Sequence, residues 1–430
     1  MNKIQMQYPI VELDGDEMTR VIWSLIKDKL ITPFVDLKTE YYDLHVKNRD
    51  NTDDKVTIEA AEAIRKHKVG VKCATITSNK ARQEEYNLKQ ITRSPNGTIR
   101  KILDGTVFRK PIMINTIKPI IPTWTKPITI ARHSYGDLYL STNALVKAGS
   151  KAEIVITDQN NVETRMTIND FKEDGIVQAY FNLDSSIYKF ADTCFKTAIE
   201  EKMDLLFSAK DTVAKEYDTR FKDIFENLYE EKYKSEFENL VIKFSYTLID
   251  DAVSKAIKSN GGFLWACKNY DGDVMSDMIA TGYGSLALMT SVLVSPEGAY
   301  EYEAAHGTVK AHYYRHLKGE ETSTNPIAII FAWSGALRKR GEMDGNKELI
   351  DFAELIEKST INTINSGFVT KDLYNMSTVE NKKIVTTNTM IDEISKRIKT
   401  NYWINIILKK EQGVNNWPPF IIPCSFYVYF

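Results

Sequence analysis

Three acids sit within seven residues in the run Asn269-Tyr270-Asp271-Gly272-Asp273-Val274-Met275-Ser276-Asp277. Asp273 and Asp277 are four apart, so a helical turn projects both carboxylates on one face. Two carboxylates that close repel unless a cation lies between them, and a hard divalent ion such as Mg²⁺ or Mn²⁺ takes oxygen ligands of this kind. The plainer reading is a solvated acidic turn. The run fails as an EF-hand loop: Met275 occupies the third ligand slot, and the closing glutamate is absent.

Other residue types extend the chemistry. Arg100, Arg109 and Arg132 each stand at the edge of an apolar run, where a strand is expected to end. Guanidinium forks bind carboxylates bidentately, and three converging would suit a substrate with several carboxylates. Proton-transfer candidates are Tyr139, on the segment after Arg132, and Lys210 in Ser208-Ala209-Lys210-Asp211-Thr212. A buried lysine near a metal or an arginine would suit acid–base work, whereas an exposed one would not. Asp250-Asp251 heads a helical pattern and is a capping pair by default, a metal ligand only by hypothesis. In Glu303-Ala304-Ala305-His306-Gly307-Thr308-Val309 an apolar run ends and a turn opens a helix, whose backbone N–H groups can hold phosphate. Lys310 and His312 add charge there, and the amide of Asn325, before Pro326, could read an adenine edge. Gly282-Tyr283-Gly284-Ser285-Leu286-Ala287 matches G-x-G-x-x-A, but no strand precedes it and no acid follows about 20 residues on, so the dinucleotide fingerprint is rejected.

The elements that must position these groups alternate. Residues 8–13 read as a strand, and Asp16-Glu17 opens an amphipathic helix. Residues 55–67 read as a helix, Val69–Thr77 and Lys126–Arg132 as strands. This βα alternation argues for an open α/β sheet, whose ligands gather at the carboxyl ends of strands. Between about 150 and 183 three short β-rich runs (Ala152–Thr157, Val162–Ile168, Gly175–Leu183) predict a small antiparallel insertion. Helices follow from Asp184 and over 217–237, strands over Val241–Leu248, Gly262–Lys268, Thr290–Val294 and Tyr300–Ala304, then mostly helix over 324–364 and 386–399.

At 430 residues the chain is long enough for two to three domains, and 43% hydrophobic with 27% charged residues is ordinary for a globular protein. A net charge of −2 points away from general nucleic-acid or membrane affinity, so an anionic ligand must be met by a local basic cluster. Cys73, Cys194, Cys267 and Cys424 are scattered without a CxxC, which suggests neither a disulfide framework nor a zinc site. No run of 18 apolar residues predicts a membrane span. The visible N-terminus, without a signal core or Arg/Ser-rich leader, predicts a cytoplasmic location, or the mitochondrial matrix if a presequence is missing.

Taken in order, these strings resemble the NADP-dependent isocitrate dehydrogenases of the eukaryotic homodimeric type, within the isocitrate/isopropylmalate dehydrogenase family. The resemblance covers roughly residues 8–385 and rests on Asp14 to Arg20, Gly70 to Thr77, Ser94 to Thr98, Asn269 to Asp273 and His306 to Val309. It implies oxidation of the C2 hydroxyl of isocitrate with hydride transfer to NADP, then loss of CO₂ to give 2-oxoglutarate, assisted by Mg²⁺ or Mn²⁺. It implies Asp273 and Asp277 as metal ligands with Asp250 reaching in from the other subunit of a homodimer. Thr77, Ser94, Asn96, Arg100, Arg109 and Arg132 match substrate contacts. Tyr139 and Lys210 match the acid–base pair, Lys210 supplied across the dimer. Lys72, Thr75, Thr77, Arg82, Asn96, His306, Gly307, Thr308, Val309, His312 and Asn325, with Lys258 from the other subunit, match cofactor contacts.

The implied architecture is a large α/β domain over 1–103 and 283–400, a small one over 104–136 and 184–282, a clasp over 137–183 that interlocks two subunits, and an atypical apolar tail over 401–430. Two departures touch the cofactor. The family's arginine for the 2′-phosphate is replaced by Ala311, with Lys310 one residue earlier, and Lys255 stands where a glutamine is usual. The expected cofactor remains NADP. Rival readings are a sister dehydrogenase acting on isopropylmalate, tartrate or homoisocitrate, an inactive homologue kept for binding, and a metal-dependent phosphate hydrolase.

Overall fold

The computed structural model of the chain describes residues 3–412. Strands β1 (Ile10–Asp14), β2 (Thr39–Asp43), β3 (Val69–Lys72), β4 (Thr106–Pro111), β5 (Ile128–His133), β6 (Asp204–Ala209), β7 (Phe244–Leu248), β8 (Phe263–Cys267), β9 (Met289–Val294) and β10 (Tyr300–Ala304) form one sheet. Their order is β7-β6-β8-β5-β4-β9-β10-β3-β1-β2. Pairs are parallel within β7-β6-β8-β5 and within β10-β3-β1-β2. They are antiparallel at β5-β4, β4-β9 and β9-β10. Two parallel fans therefore run in opposite directions and join through an antiparallel middle.

The inner strands of the fans are buried on both faces, as parallel strands covered by helices must be. Every residue of β1 and of β3 is buried. One face of the β10-β3-β1-β2 fan packs on α1 (Glu17–Ile26) and later helices through Ile22, Trp23, Trp333 and Phe352. The other face packs on α2 (Lys55–His67) and, past α3 (Lys80–Tyr86), on α4 (Pro95–Leu103), through Ala60, Ile64, Ile99 and Leu103. In the opposite fan, α5 (Asp184–Glu201) and α6 (Lys215–Leu228) bring Phe190, Phe195 and Phe225 onto Phe207. Beyond α7 (Ile249–Lys258), α8 (Asn269–Tyr283) covers the second face through Ile279 and Tyr283 against Trp124 and Trp265.

Two antiparallel ribbons stand apart from this sheet. Thr142–Val146 pairs with Gly175–Ala179, and Lys151–Thr157 pairs with Glu163–Asp170. The expected β-rich insertion is present with one strand more than its three runs predicted. Thr142–Val146 escaped notice because it lies close after the short 3₁₀ turn Asp137–Leu140.

Three expectations need correction. The strand over Val69–Thr77 stops at Lys72, because the Asp16 carboxylate accepts the N–H groups of Ile76 and Val46, both at 2.8 Å, and bends the chain off the sheet. Arg100 lies on α4 rather than at a strand end, and Arg109 sits inside β4. Third, of the two readings of the acidic run the solvated turn falls and the helical one stands: the run is the first half of α8. The last helix, Thr387–Gln412, runs through residue 401, and the tail residues 413–430 lie outside the described residues.

Candidate active site

The sheet register aligns the first site residues. Lys72 on β3 lies opposite Glu303 on β10, Glu303 opposite Ser291 on β9, and Ser291 opposite Arg109 on β4. Residues directly opposite share a face, so the four make one polar row across the antiparallel middle. Arg132 stands two residues past Ile130, the next position of that row, and faces the same way. The site thus lies on a face where the opposed fans meet, not along one carboxyl edge.

Helix α8 closes over this row. Arg132 and Cys267 are register partners on β5 and β8, so the chain leaving β8 enters α8 beside Arg132. The close approach needs Gly272: a Cβ there would lie 2.7 Å from the Cβ of Arg132. Arg132 Nε donates to Asn269 Oδ1 at 2.9 Å, and its Nη1 meets the Asp273 carboxylate. Arg109 Nη1 donates to Ser276 Oγ at 2.6 Å and reaches Asp277 at 3.5 Å; its Nη2 lies 3.9 Å from Asp273. The Tyr139 hydroxyl donates to Asp273 Oδ2 at 2.5 Å, and the Arg132 guanidinium lies 4.8 Å above the Tyr139 ring. From α4, Arg100 reaches Glu303 at 3.1 Å, and Lys72 meets the other oxygen of Glu303 at 3.4 Å.

The electrostatics follow from this crowding. Burial, then the charge of Arg100, lowers the affinity of Arg109 and Arg132 for their protons, and Arg132 falls to about 10. Arg100 pairs with Glu303 of the row that carries Arg109, and Arg109 and Arg132 share Asp273, so the three guanidinium groups converge. Burial would raise Asp273, but Arg132, Tyr139 and Arg109 hold it below the usual carboxylate range. Asp277 goes the other way, raised by burial and by the neighbouring Asp273 charge. Burial, with the hydrogen bond to Asp273, pushes the Tyr139 phenol up to about 12 against the pull of Arg132. Buried polar atoms without a protein partner include Asn96 Oδ1, Arg109 Nε and His306 Nε2. Thr77 and Ser94 face each other at 3.4 Å across the head of α4.

Asp273 and Asp277 present exposed carboxylate oxygens on one face of α8, a donor set that fits a hard divalent cation. Among the described residues of one chain, no three His, Cys, Asp or Glu side chains come together as a metal site. Asp250 is elsewhere, paired with Lys210 at the adjacent ends of β7 and β6. The buried Asp218 accepts the Lys210 backbone N–H at 2.6 Å and so fixes that end.

A second wall carries the other candidates. Thr308 and Arg82 both donate to Glu17, Arg82 through two nitrogens at 2.7 and 3.1 Å. Glu17 holds a left-handed backbone, φ 54°, which costs about 1 kcal/mol unless its surroundings enforce it. His306 Nδ1 lies 2.9 Å from the Gly307 carbonyl, His312 bonds to Thr324 at 2.7 Å, and Asn325 donates to Asp372 at 3.0 Å. Lys258 lies in the last turn of α7, and Lys255 reaches Thr247 at 3.2 Å. Val309 caps α9 (Lys310–Leu317) with a left-handed backbone. The rejected glycine fingerprint serves packing: a Cβ on Gly282 would lie 2.1 Å from Trp124, and Gly284 ends α8.

Sequence reasoning passed over Glu17, Glu303, Ser276 and Asp218. Each acts by holding another candidate, and its signal is a contact across the chain. For Glu303 the acid alternating with apolar positions in Tyr300–Ala304 was available as a hint of a buried carboxylate.

Residues 5–394 match the family model described as isocitrate/isopropylmalate dehydrogenase. The chain belongs to this family. It is 51% identical over 404 residues to the protein named isocitrate dehydrogenase [NADP], mitochondrial, of Saccharomyces cerevisiae, covering 93% of this chain and 94% of that one. It is 50% identical over 406 residues to the chloroplastic/mitochondrial isocitrate dehydrogenase [NADP] of Arabidopsis thaliana, covering 93% and 84%. With the mitochondrial enzyme of Homo sapiens it shares 49% over 403 residues, covering 92% and 89%. These names overturn the cytoplasmic expectation, since all three relatives are organellar. Leaders are removed from mature organellar proteins, so the first residues of a chain do not report its compartment. No helix among the described residues is long and apolar enough to cross a membrane.

Proposed function

We propose that this chain oxidises isocitrate to 2-oxoglutarate and CO₂ with NADP and a divalent cation. The observation that supports this most is the convergence of Arg100, Arg109 and Arg132 on the face where Asp273, Asp277 and Tyr139 meet. A tricarboxylate needs several guanidinium forks, and Asp273 already occupies two of them. Asp273 and Asp277 would hold a divalent cation, which would supply Lewis-acid stabilisation of the C2 oxygen, and a bound nicotinamide would supply the hydride acceptor.

The chain's own residues do the rest. Arg100, Arg109 and Arg132, with Ser94, Asn96 and Thr77, hold the carboxylates and keep C2 oriented. Tyr139 carries a tightly held proton and gives it to the enol carbon left by CO₂. That leaves the partner subunit's Lys210 to take the C2 hydroxyl proton, with Asp250 of the partner subunit completing the acid cluster. The two travel together because they sit at adjacent strand ends. Lys72, Thr75, Arg82, the turn His306–Val309, His312 and Asn325 line the cofactor wall, joined by the partner's Lys258.

A homodimer is part of this reading. The ribbons carry Leu145 and Ile176 with 87% and 66% of their surface exposed, apolar area that a second copy would cover. The same reading divides the chain into 1–103 with 283–400, 104–136 with 184–282, and a clasp at 137–183; Val107, Ile112 and Met289 pack in cores that cross these bounds, so the sheet is continuous between the two α/β parts. An organelle is the location favoured by the relatives' names. The test is initial rates of NADP⁺ reduction with isocitrate, with Mn²⁺ and with chelator. Turnover with metal alone is expected. Silence with isocitrate and turnover with isopropylmalate, tartrate or homoisocitrate would replace the substrate.

A further inference from the structure

On the cofactor wall one carboxylate gathers three donors. Glu85, on α3, accepts from Lys310 Nζ at 2.8 Å, from Arg82 Nη1 at 2.9 Å and from the Tyr314 hydroxyl. Lys310 and Tyr314 are four apart on α9, so they share a face. Ala311, where the family's arginine is absent, lies between them and contributes only a methyl group. Arg315, one turn on, is turned to Glu320 at 2.7 Å.

The cluster adjoins the cofactor turn through shared partners. Arg82 bridges Glu85 to Glu17, and Glu17 receives the hydroxyl of Thr308. The side chain of Lys310 is 48% exposed, whereas that of Glu85 is 22% exposed. A guanidinium, an ammonium and a phenol arranged around one anion are the donors that a phosphate monoester dianion takes through its three terminal oxygens.

We propose that Arg82, Lys310 and Tyr314 form the subsite for the 2′-phosphate of the dinucleotide, and that Glu85 is the internal anion that holds them until the phosphate displaces it. The proposal rests on the reading that the His306–Val309 wall binds NADP. It assigns the discrimination between NADP and NAD to Lys310 and Tyr314 in place of an arginine. Glu85 then opposes the phosphate by like charge.

The experiment is calorimetric titration of the full-length dimer with adenosine 2′,5′-bisphosphate and with adenosine 5′-monophosphate, beside NADPH. Lys310→Met is expected to weaken the bisphosphate by about tenfold, and Tyr314→Phe by about threefold, with the monophosphate unchanged. Glu85→Gln is expected to tighten the bisphosphate, because the competing charge is gone while the amide oxygen still accepts. Melting temperatures near wild type confirm that these surface changes leave the fold intact. Bisphosphate affinity unchanged in Lys310→Met and Tyr314→Phe overturns the proposal. So does weakening in Glu85→Gln, which would make the cluster a strut between α3 and α9. A wild-type chain that binds neither NADPH nor the bisphosphate overturns the cofactor reading itself, and the proposal with it.

Discussion

The two groups of residues proposed for substrate and for cofactor are built differently. The first wall, proposed for substrate, carries buried strand residues, with Arg109 and Arg132 less than a tenth exposed and packed under α8. The residues proposed for the cofactor beyond Thr308 stand on the short helices α3 and α9, where the Lys310 side chain is 48% exposed and those of Arg82 and Glu85 are 14% and 22% exposed. Buried charges are costly to leave unpaired, so the first wall is rigid and intolerant. Exposed charges are screened and cheap to rearrange, which is why the proposal lets a lysine and a tyrosine stand there for an arginine.

The largest effect belongs to the first wall. Asp273→Asn should cut kcat by about 10³-fold or more, with the fold kept, because an isosteric amide would neither hold the proposed cation nor balance Arg132. Near-normal turnover in metal-saturated assays would remove Asp273 from the metal site. Next comes Arg132→Gln, expected to raise the isocitrate KM by about 10²-fold while the NADP KM moves little. If both KM values rise alike, the two walls are one mechanical unit and the contrast fails.

A third effect concerns stability at low pH. His133, beside Arg132 on β5, is wholly buried and pushed down to about 4 by its burial. Its folded value lies below the ordinary 6.5, so the unfolded chain takes up a proton that the folded chain refuses. Stability should therefore be full above about pH 6.5 and fall towards pH 4, by about 1.4 kcal/mol per unit. Melting temperature against pH measures this, and His133→Gln should flatten the curve. An equally steep curve in that variant would assign the slope to other groups.

The smallest effect separates the walls by salt. Raising ionic strength from about 0.05 to 0.5 M should raise the NADP KM more steeply than the isocitrate KM, since exposed charges are screened more than buried ones. Equal slopes would place the cofactor contacts deeper than Lys310 and Tyr314 allow.

Much of this was legible from local pattern. Residues 55–67 form the helix that their periodicity predicts, and Asp273 and Asp277 fall on one helical face as their spacing requires. Helical and strand periods are properties of neighbouring residues, which is why sequence reads them. The errors lay where a distant group intervened: β3 stops at Lys72 because Asp16 captures Ile76 from 60 positions away. Glu17 went unremarked because its partners, Arg82 and Thr308, are 65 and 291 positions distant.

The sequence by itself determined the element types, the acid pair, the rejection of the glycine fingerprint and the resemblance that identified the chemistry. Only the tertiary structure decided that Arg100, Arg109 and Arg132 converge from a helix and two antiparallel strands. It also decided that Glu303 ties Lys72 to Arg100, and that Glu85 gathers Arg82, Lys310 and Tyr314. Register across the sheet and the docking of α8, through Gly272 on Arg132, place these groups, and neither is encoded in the spacing of any one segment.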